Sequence, residues 1–161
     1  MEQFTIQKNG FLSHDCTGYF HLYYVGYGQP GNPDYLNTLK NIFVSTHPDM
    51  LRAASRQAAA LMIQDIPQVM DAEGLDTAIL MAVPRSKSGM CNWQLGFKAA
   101  VRTTVKALQA DGLSVIDGTD FISRHTSTKM THLRKPVSNF ENTGSDPYPG
   151  ITKDTCDIQN K

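Results

Sequence analysis

A cationic turn follows the most apolar stretch of this 161-residue sequence. Thr77 to Val83 is a near-continuous apolar run, a helix pattern begins near Trp93, and between them lie two cations and two hydroxyl side chains: Arg85, Ser86, Lys87 and Ser88. The first amides of a helix lack intrahelical partners and carry the positive end of its dipole, so this order of strand, turn and helix favours an anion. The sequence therefore predicts a binding site for phosphate or pyrophosphate.

The turn and the helix after it also have plainer interpretations. A solvated polar turn is the alternative for residues 85–88, although strand, turn and helix agree on the geometry of an anion site. Lys98, Arg102 and Lys106 recur every four residues opposite an apolar stripe. That spacing predicts a solvent-exposed helix face rather than a binding site.

Composition indicates an ordinary globular protein, with 40% hydrophobic and 19% charged residues and a net charge of zero. A neutral chain has no bulk attraction to nucleic acid or to a membrane, and no apolar run approaches the length of about 18 residues that spans a bilayer. The widely spaced Cys16, Cys91 and Cys156 form neither a disulfide framework nor a zinc signature. A reducing, cytoplasmic location is the prediction.

The first half of the sequence reads as one strand and several helical segments. Tyr19 to Val25 is predicted to be a strand, and Asn32 to cap a short helix. An alanine-rich helix is predicted to open between Thr46 and Pro48 and to be interrupted at Pro67, with Gly74 ending the second piece.

The second half predicts a parallel sheet. The run from 77 to 83 is apolar enough to be a strand buried on both faces. A helix over 93–110 buries residues at helical spacing, and strand material follows over 113–116 and 120–123. The helix residues expected to be buried are Phe97, Val101, Val105 and Leu108. Residues 125–150 have no hydrophobic periodicity, which is typical of a functional lid or of disorder.

A glycine motif in the first half offers a different function. Gly26-Tyr-Gly-Gln-Pro-Gly31 fits the G-x-G-x-x-G pattern of dinucleotide sites. Such a site needs a second strand ending in an acidic residue about 20 residues later, and an alanine-rich helical segment occupies that place. A turn-and-cap role is therefore the favoured interpretation.

Three segments of the second half together resemble type I phosphoribosyltransferases. They are Val83-Pro-Arg-Ser-Lys-Ser-Gly89 after the buried strand, Gln94-Leu-Gly-Phe-Lys-Ala-Ala100 at the next helix, and a polar basic loop closing at Pro147-Tyr-Pro-Gly150. The likeness is greatest to the competence-associated and amidophosphoribosyltransferase-related branch and covers residues 76–161. It implies an α/β fold in which helices flank a parallel sheet, with residues 1–75 as an N-terminal hood that selects the acceptor.

The resemblance also implies site residues and ligands. The turn that holds Arg85, Ser86, Lys87 and Ser88 would bind the pyrophosphate of phosphoribosyl pyrophosphate (PRPP), which is used with Mg²⁺. The family's mobile basic lid falls on Thr126 to Gly150. Its candidate residues are Lys129, His132, Arg134 and Lys135. No metal-ligand set is predicted, because His125 and His132 have no third ligand at regular spacing.

The sequence lacks one signature of the family, and this difference leaves two functions open. Its signature, an apolar strand ending in two acidic residues and a Thr/Gly-rich loop, holds the sugar and 5-phosphate of PRPP, and no segment here matches it. Either the natural chain continues past Lys161 or this is a shortened relative, so the predicted core is incomplete at its C-terminus and no catalytic residue is assigned. The first expectation is a phosphoribosyl transfer completed by further chain or a partner. The alternative is a non-catalytic assembly or regulatory protein, in a homo- or hetero-oligomer, with bacterial antiphage defence as one role that the resemblance suggests.

Overall fold

The computed structural model describes residues 1–10, 12–23, 25, 30–40, 48–84, 88, 96–128 and 156–159. These residues form a mixed α/β structure with three helices and six short strands. In chain order the elements are β1 (Glu2–Ile6), β2 (Cys16–Phe20), α1 (Asp34–Lys40), α2 (Pro48–Glu73), β3 (Ala78–Leu80), α3 (Gly96–Ala110), β4 (Val115–Asp117), β5 (Ile122–Arg124) and β6 (Cys156–Ile158).

The strands pair two by two. β1 and β2 form an antiparallel hairpin, β3 and β4 pair in parallel, and β5 and β6 pair in antiparallel fashion. Parallel strands require a crossover connection, and α3 lies in the chain between β3 and β4. The predicted parallel pairing is thus confirmed for these two strands.

The main apolar core lies between α2 and α3. At one end of this layer Leu39, from α1, packs with alanines of α2 and with Ala100 of α3. At the other end Met70 of α2 packs with Val105 and Leu108 of α3 and with Val115 of β4. Val101, Val105 and Leu108 are buried as their spacing predicted.

Pro67 does not interrupt α2, contrary to the sequence-based prediction. The helix is continuous from Pro48 to Glu73 with the proline inside it. A proline costs an interior helix about 3 kcal/mol, since it removes one hydrogen bond and clashes with the preceding turn. Ile63, Ile66 and Met70 flank it and all join the core, and burying such side chains gains about 1.5 to 3 kcal/mol each. Tertiary packing therefore outweighs the local preference.

Glycine ends both long helices in the same way. Gly74, predicted to end α2, has a φ of 62° and donates its amide to Asp71, while Leu75 donates to Met70. Gly112 has a φ of 86° and donates its amide to the carbonyl of Gln109, while Leu113 donates to the carbonyl of Leu108, so the same two bonds end α3. These bonds satisfy the last carbonyls of each helix and direct the chain into β3 and β4.

The prediction that β3 is buried on both faces is wrong. Ala78 and Leu80 contact the core, whereas Ile79 is 48% exposed and Met81 is 50% exposed. Side chains alternate along a strand, and α2 and α3 cover one side of this two-stranded sheet. Among the described residues, the opposite face remains open to solvent.

The N-terminal hairpin departs furthest from the sequence-based map. The predicted strand over 19–25 is placed at Cys16–Phe20 instead, and its partner β1 was not predicted. Asn32 does not cap α1 with its side chain, which bonds to both the amide and the carbonyl of Val25. The carbonyl of Pro33 accepts the first bond of α1, from Asn37.

Only α2 and α3 among the described helices are long. α2 spans 26 residues, but its surface carries Asp, Glu, Arg and Gln side chains. Within the described part of the chain, no helix combines the length and apolarity needed to cross a bilayer. The predicted boundary between a hood over 1–75 and a core over 76–161 stays a prediction.

Candidate functional site

The carboxyl ends of β3 and β4 lie side by side. Leu80 pairs with Asp117, and the amide of Gly118 donates to the carbonyl of Leu80 at 2.9 Å. Residues 81–84 and 117–120 therefore share one border of the sheet, which we call the carboxyl edge. Ligands of open α/β sheets bind at such edges, because the loops after parallel strands converge there.

Gly118 permits the close contact between the two loops. A Cβ at this position would lie 2.6 Å from Cγ of Met81 and 2.8 Å from Cγ2 of Ile79. It would also lie 3.2 Å from the carbonyl oxygen of Leu80, which belongs to the backbone and cannot turn away. A side chain at residue 118 would thus push the two strand ends apart.

Asp117 stands at the end of β4 and is held by the residues that follow it. Its Oδ1 accepts the amide of Thr119 at 2.9 Å and the Thr119 hydroxyl at 2.7 Å. Partial burial is the largest single influence and raises the pKa of Asp117. The bonds from Thr119 and the charge of Arg102 together outweigh it, so the pKa lies below its ordinary value. Asp117 is ionised at neutral pH.

Asp120 is bound by two cations of α3. Lys98 Nζ donates to its Oδ1 at 3.0 Å, and Arg102 Nη2 donates to its Oδ2 at 2.8 Å. The hydrogen bond from Lys98 is the largest cause that lowers the pKa of Asp120, and the charges of Lys98 and Arg102 add to it. The Lys98 side chain is only 14% exposed, so it does not belong to the solvated face that the sequence predicted.

Arg102 connects the two carboxylates. Its Nε donates to the Thr119 hydroxyl at 3.1 Å and lies 3.8 Å from Oδ2 of Asp117. Thr119 is almost fully buried, and its hydroxyl donates to Asp117, so Thr119 links Arg102 to Asp117. Two cations and two carboxylates thus form a neutral network that fixes the loop after β4 against α3.

The chemistry open to this network is hydrogen bonding by an ionised carboxylate. Asp117 accepts two bonds through Oδ1, and its Oδ2 lies 3.8 Å from Nε of Arg102. A carboxylate in this state accepts hydrogen bonds from hydroxyl groups or from water on a metal ion. In the described residues no group of three or more His, Cys, Asp or Glu side chains could by itself hold a metal.

Of the predicted anion-binding turn, residues 85–88, only Ser88 lies among the described residues. Ser88 donates its amide to Oγ of Ser127 at 3.0 Å, and the two hydroxyl oxygens lie 2.9 Å apart. Ser127 belongs to the segment predicted to be a lid, so the structure brings the end of the turn to the start of that segment. The other predicted site residues lie outside the described residues, namely Arg85, Ser86, Lys87, Lys129, His132, Arg134 and Lys135.

Sequence reasoning missed the acidic residues of the carboxyl edge. Val115-Ile-Asp-Gly-Thr-Asp120 is an apolar pair followed by two carboxylates around a glycine, directly after a predicted strand. Acidic side chains directly after a strand of a parallel sheet lie at its carboxyl edge. This position in the sequence could have identified Asp117 and Asp120 as candidate site residues. The contact of Ser88 with Ser127 had no signal, because 39 residues separate the two serines.

The comparisons with known proteins found no relative of this chain. No protein-family model, no curated protein and no solved structure matches the chain.

Proposed function

We propose that the carboxyl edge and the turn ending at Ser88 bind the diphosphate group of pyrophosphate or PRPP. The chain would be a phosphoribosyltransferase-like protein that transfers a phosphoribosyl group if further chain or a partner completes the sugar-binding part. The parallel pairing of β3 with β4 supports this most directly, because such folds bind ligands at the carboxyl ends of parallel strands and the cationic turn follows β3 in the sequence.

Donors for the diphosphate would come from the turn. Arg85 and Lys87 supply two charges, and Ser88 supplies an amide and a hydroxyl. Ser127 Oγ accepts the Ser88 amide, and in the proposed complex a phosphate oxygen would replace it as the acceptor. Oxygen atoms of diphosphate are stronger acceptors than a serine hydroxyl, so exchange of the two is favoured.

Asp117 would act on the sugar side of the same ligand. Because it is ionised, it can accept a bond from a ribose hydroxyl or from water on the Mg²⁺ that accompanies PRPP. Ribosyl transfer develops positive charge on the sugar and negative charge on the leaving diphosphate, and fixed donors and acceptors lower such a barrier. Lys98 and Arg102 would keep the Asp117 loop in place through Thr119 and Asp120.

Isothermal titration with pyrophosphate, and with PRPP plus Mg²⁺, tests the proposal. Lys87→Ala should weaken binding by about 1.5 to 3 kcal/mol, the worth of a charge-assisted hydrogen bond. Lys106→Ala is the matched control, since Lys106 is exposed on α3 away from the edge, and it should bind as the unmodified protein does. Equal affinity of Lys87→Ala and the unmodified protein contradicts the proposal, as does no binding at all.

A non-catalytic assembly protein is the second candidate, and one observation favours it. In the part of the chain that the structure describes, the face of the β3 and β4 pair opposite α2 and α3 exposes Ile79, Met81 and Ile116. Parallel sheets are normally covered on both faces, so this face is suited to contact with another polypeptide. Ile116→Lys, which keeps the strand but charges the face, should abolish assembly while leaving pyrophosphate affinity intact. An oligomeric state that Ile116→Lys does not alter would exclude this face as the assembly surface.

A further inference from the structure

β1 is exposed along its whole length. All five of its residues are exposed, and Phe4, the largest apolar one, is 50% exposed. In the described part of the chain β1 pairs with β2 alone, so one edge of β1 offers its amides and carbonyls to solvent. A flat edge strand without proline or a bulge is a template for pairing with another strand.

The two faces of the hairpin differ in what they contact. Tyr19 lies on one face, and its hydroxyl donates to Glu73 of α2. Glu2, Phe4 and Ile6 lie on the other face, where the Phe4 ring lies over Gly18 and 6.0 Å from Phe20. Among the described residues the hairpin therefore contacts α2 through Tyr19 of β2, and the outer edge of β1 is the edge opposite its pairing with β2.

We propose that β1 pairs with β1 of a second copy of this chain, in antiparallel register centred on Thr5. The pairing joins two hairpins into a four-stranded sheet around a two-fold axis. Because the register follows from β1 and the residues after it, the proposal is independent of the diphosphate function.

The side chains of residues 2–8, which are β1 and the two residues after it, are complementary to themselves in this register. Glu2 faces Lys8 of the second copy, Phe4 faces Ile6, and Thr5 faces Thr5. Gln3 faces Gln7 in the same way. Opposite charges, apolar pairs and threonine pairs placed directly across two antiparallel strands each stabilise the pairing. A shift by one residue would break the charge pair and set unlike faces together.

Both charged groups are positioned for this contact. Glu2 accepts the Tyr23 hydroxyl at 3.0 Å through Oε2, and the residue is exposed. The Lys8 amide donates to Asp15 Oδ1 at 2.6 Å, which fixes the backbone two residues after β1 ends. The Lys8 side chain itself is exposed.

Sedimentation equilibrium of the full chain and of charge variants tests the pairing. Glu2→Lys and Lys8→Glu each set like charges opposite one another at both ends of the interface, so each should weaken the dimer about tenfold or more. The double variant Glu2→Lys/Lys8→Glu restores opposite charges and should regain the dimer. Tyr23→Phe controls for loss of the Glu2 hydrogen bond and should dimerise as the unmodified chain does.

Mixing the two single variants sharpens the test. Glu2→Lys carries two cations at the interface and Lys8→Glu carries two carboxylates, so the mixture should form a heterodimer although neither variant dimerises well alone. Circular dichroism of each variant checks that the helices, and with them the overall fold, are retained. A variant that unfolds is replaced by the cysteine test that follows.

Cysteine cross-linking tests the register itself. Thr5→Cys should form a disulfide-linked dimer on mild oxidation, because residues facing each other across the axis lie within disulfide range. Gln3→Cys is the matched control, since its own counterpart lies four residues along the strand, about 13 Å away. A monomer at every concentration, a dimer unchanged by the charge variants, or equal cross-linking of the two cysteine variants would overturn the proposal.

Discussion

The α2–α3 layer and the N-terminal hairpin are stabilised by different interactions. Leu108 and Ala100 are buried almost completely between helices, and the polar Thr104 beside them bonds to a carbonyl of its own helix. The hairpin contacts α2 through polar groups, with Tyr19 on Glu73 and His21 Nδ1 at 2.8 Å from Asp65. Apolar burial stabilises the first region, and exposed hydrogen bonds attach the second.

This difference separates the places where the two proposals lie. The proposed diphosphate site lies at the carboxyl edge, which the packed layer holds in one geometry. The proposed pairing with a second copy lies on the exposed strand of the hairpin. We therefore expect substitutions in the layer to change global stability, and substitutions in β1 to change the proposed self-pairing.

The largest expected effect is on the packed layer. Leu108→Ala removes a fully buried side chain from the core and should lower the free energy of unfolding by about 3 to 5 kcal/mol. Phe4→Ala, in the exposed hairpin, should lower it by under about 1 kcal/mol. Urea denaturation followed by circular dichroism measures both. Equal losses would remove the distinction between the regions.

A smaller effect is expected where the two strand ends meet. Gly118→Ala introduces a methyl group against Met81, Ile79 and the Leu80 carbonyl, and should cost about 1 to 3 kcal/mol. Because the strain falls on the carboxyl edge, pyrophosphate affinity should drop as well. Gly10→Ala is the control, since a Cβ there meets no atom within 4 Å. A stable Gly118→Ala protein with full affinity would contradict this view of the edge.

Acid should weaken the charged network at the carboxyl edge. The pKa values of Asp117 and Asp120 lie below their ordinary value of 3.8, so their contribution is complete above that pH and is lost as pH falls through the lower folded-state values. Asp117→Asn/Asp120→Asn should lose under about 1 kcal/mol at neutral pH, because Asp120 is largely exposed. Its deficit relative to the unmodified protein should vanish in strong acid. A deficit independent of pH would count against ionic stabilisation.

The smallest effect on global stability is expected at the attachment of the hairpin. Tyr19→Phe removes the bond to Glu73 without changing the apolar ring. Amide hydrogen exchange in β1 and β2 should accelerate, while exchange in α3 stays unchanged, because the hairpin opens locally. Faster exchange throughout both regions would show that they unfold together.

The sequence predicted the parts of the fold in which local pattern and packing agree. The spacing of Val101, Val105 and Leu108 predicted the buried face of α3, and Gly74 predicted the end of α2. Pro67 misled because a local rule was outweighed by core contacts that single-sequence reasoning does not count. β1 was missed because all of its residues are exposed. A strand without a buried face does not need the alternation of apolar and polar residues by which strands are recognised in a sequence.

The candidate site was predictable only in part. The apolar run predicted a strand of a parallel sheet, and β3 and β4 do pair in parallel. The anion site at the cationic turn stays a prediction, because residues 85–87 lie outside the described residues. The link from Arg102 through Thr119 to Asp117 depends on how α3 lies against the loop after β4, which is a tertiary property. Lys98 misled because helical spacing alone does not show which cations meet a carboxylate.

Pyrophosphate titration followed by amide NMR resonances is the most direct test of diphosphate binding at the carboxyl edge. We expect shifts at Ser88 and at the carboxyl edge residues Gly118 and Thr119, with no shift at Thr5 or Tyr19 of the hairpin. Shifts confined to the hairpin, or no shift at Ser88 when pyrophosphate is in excess, would contradict it.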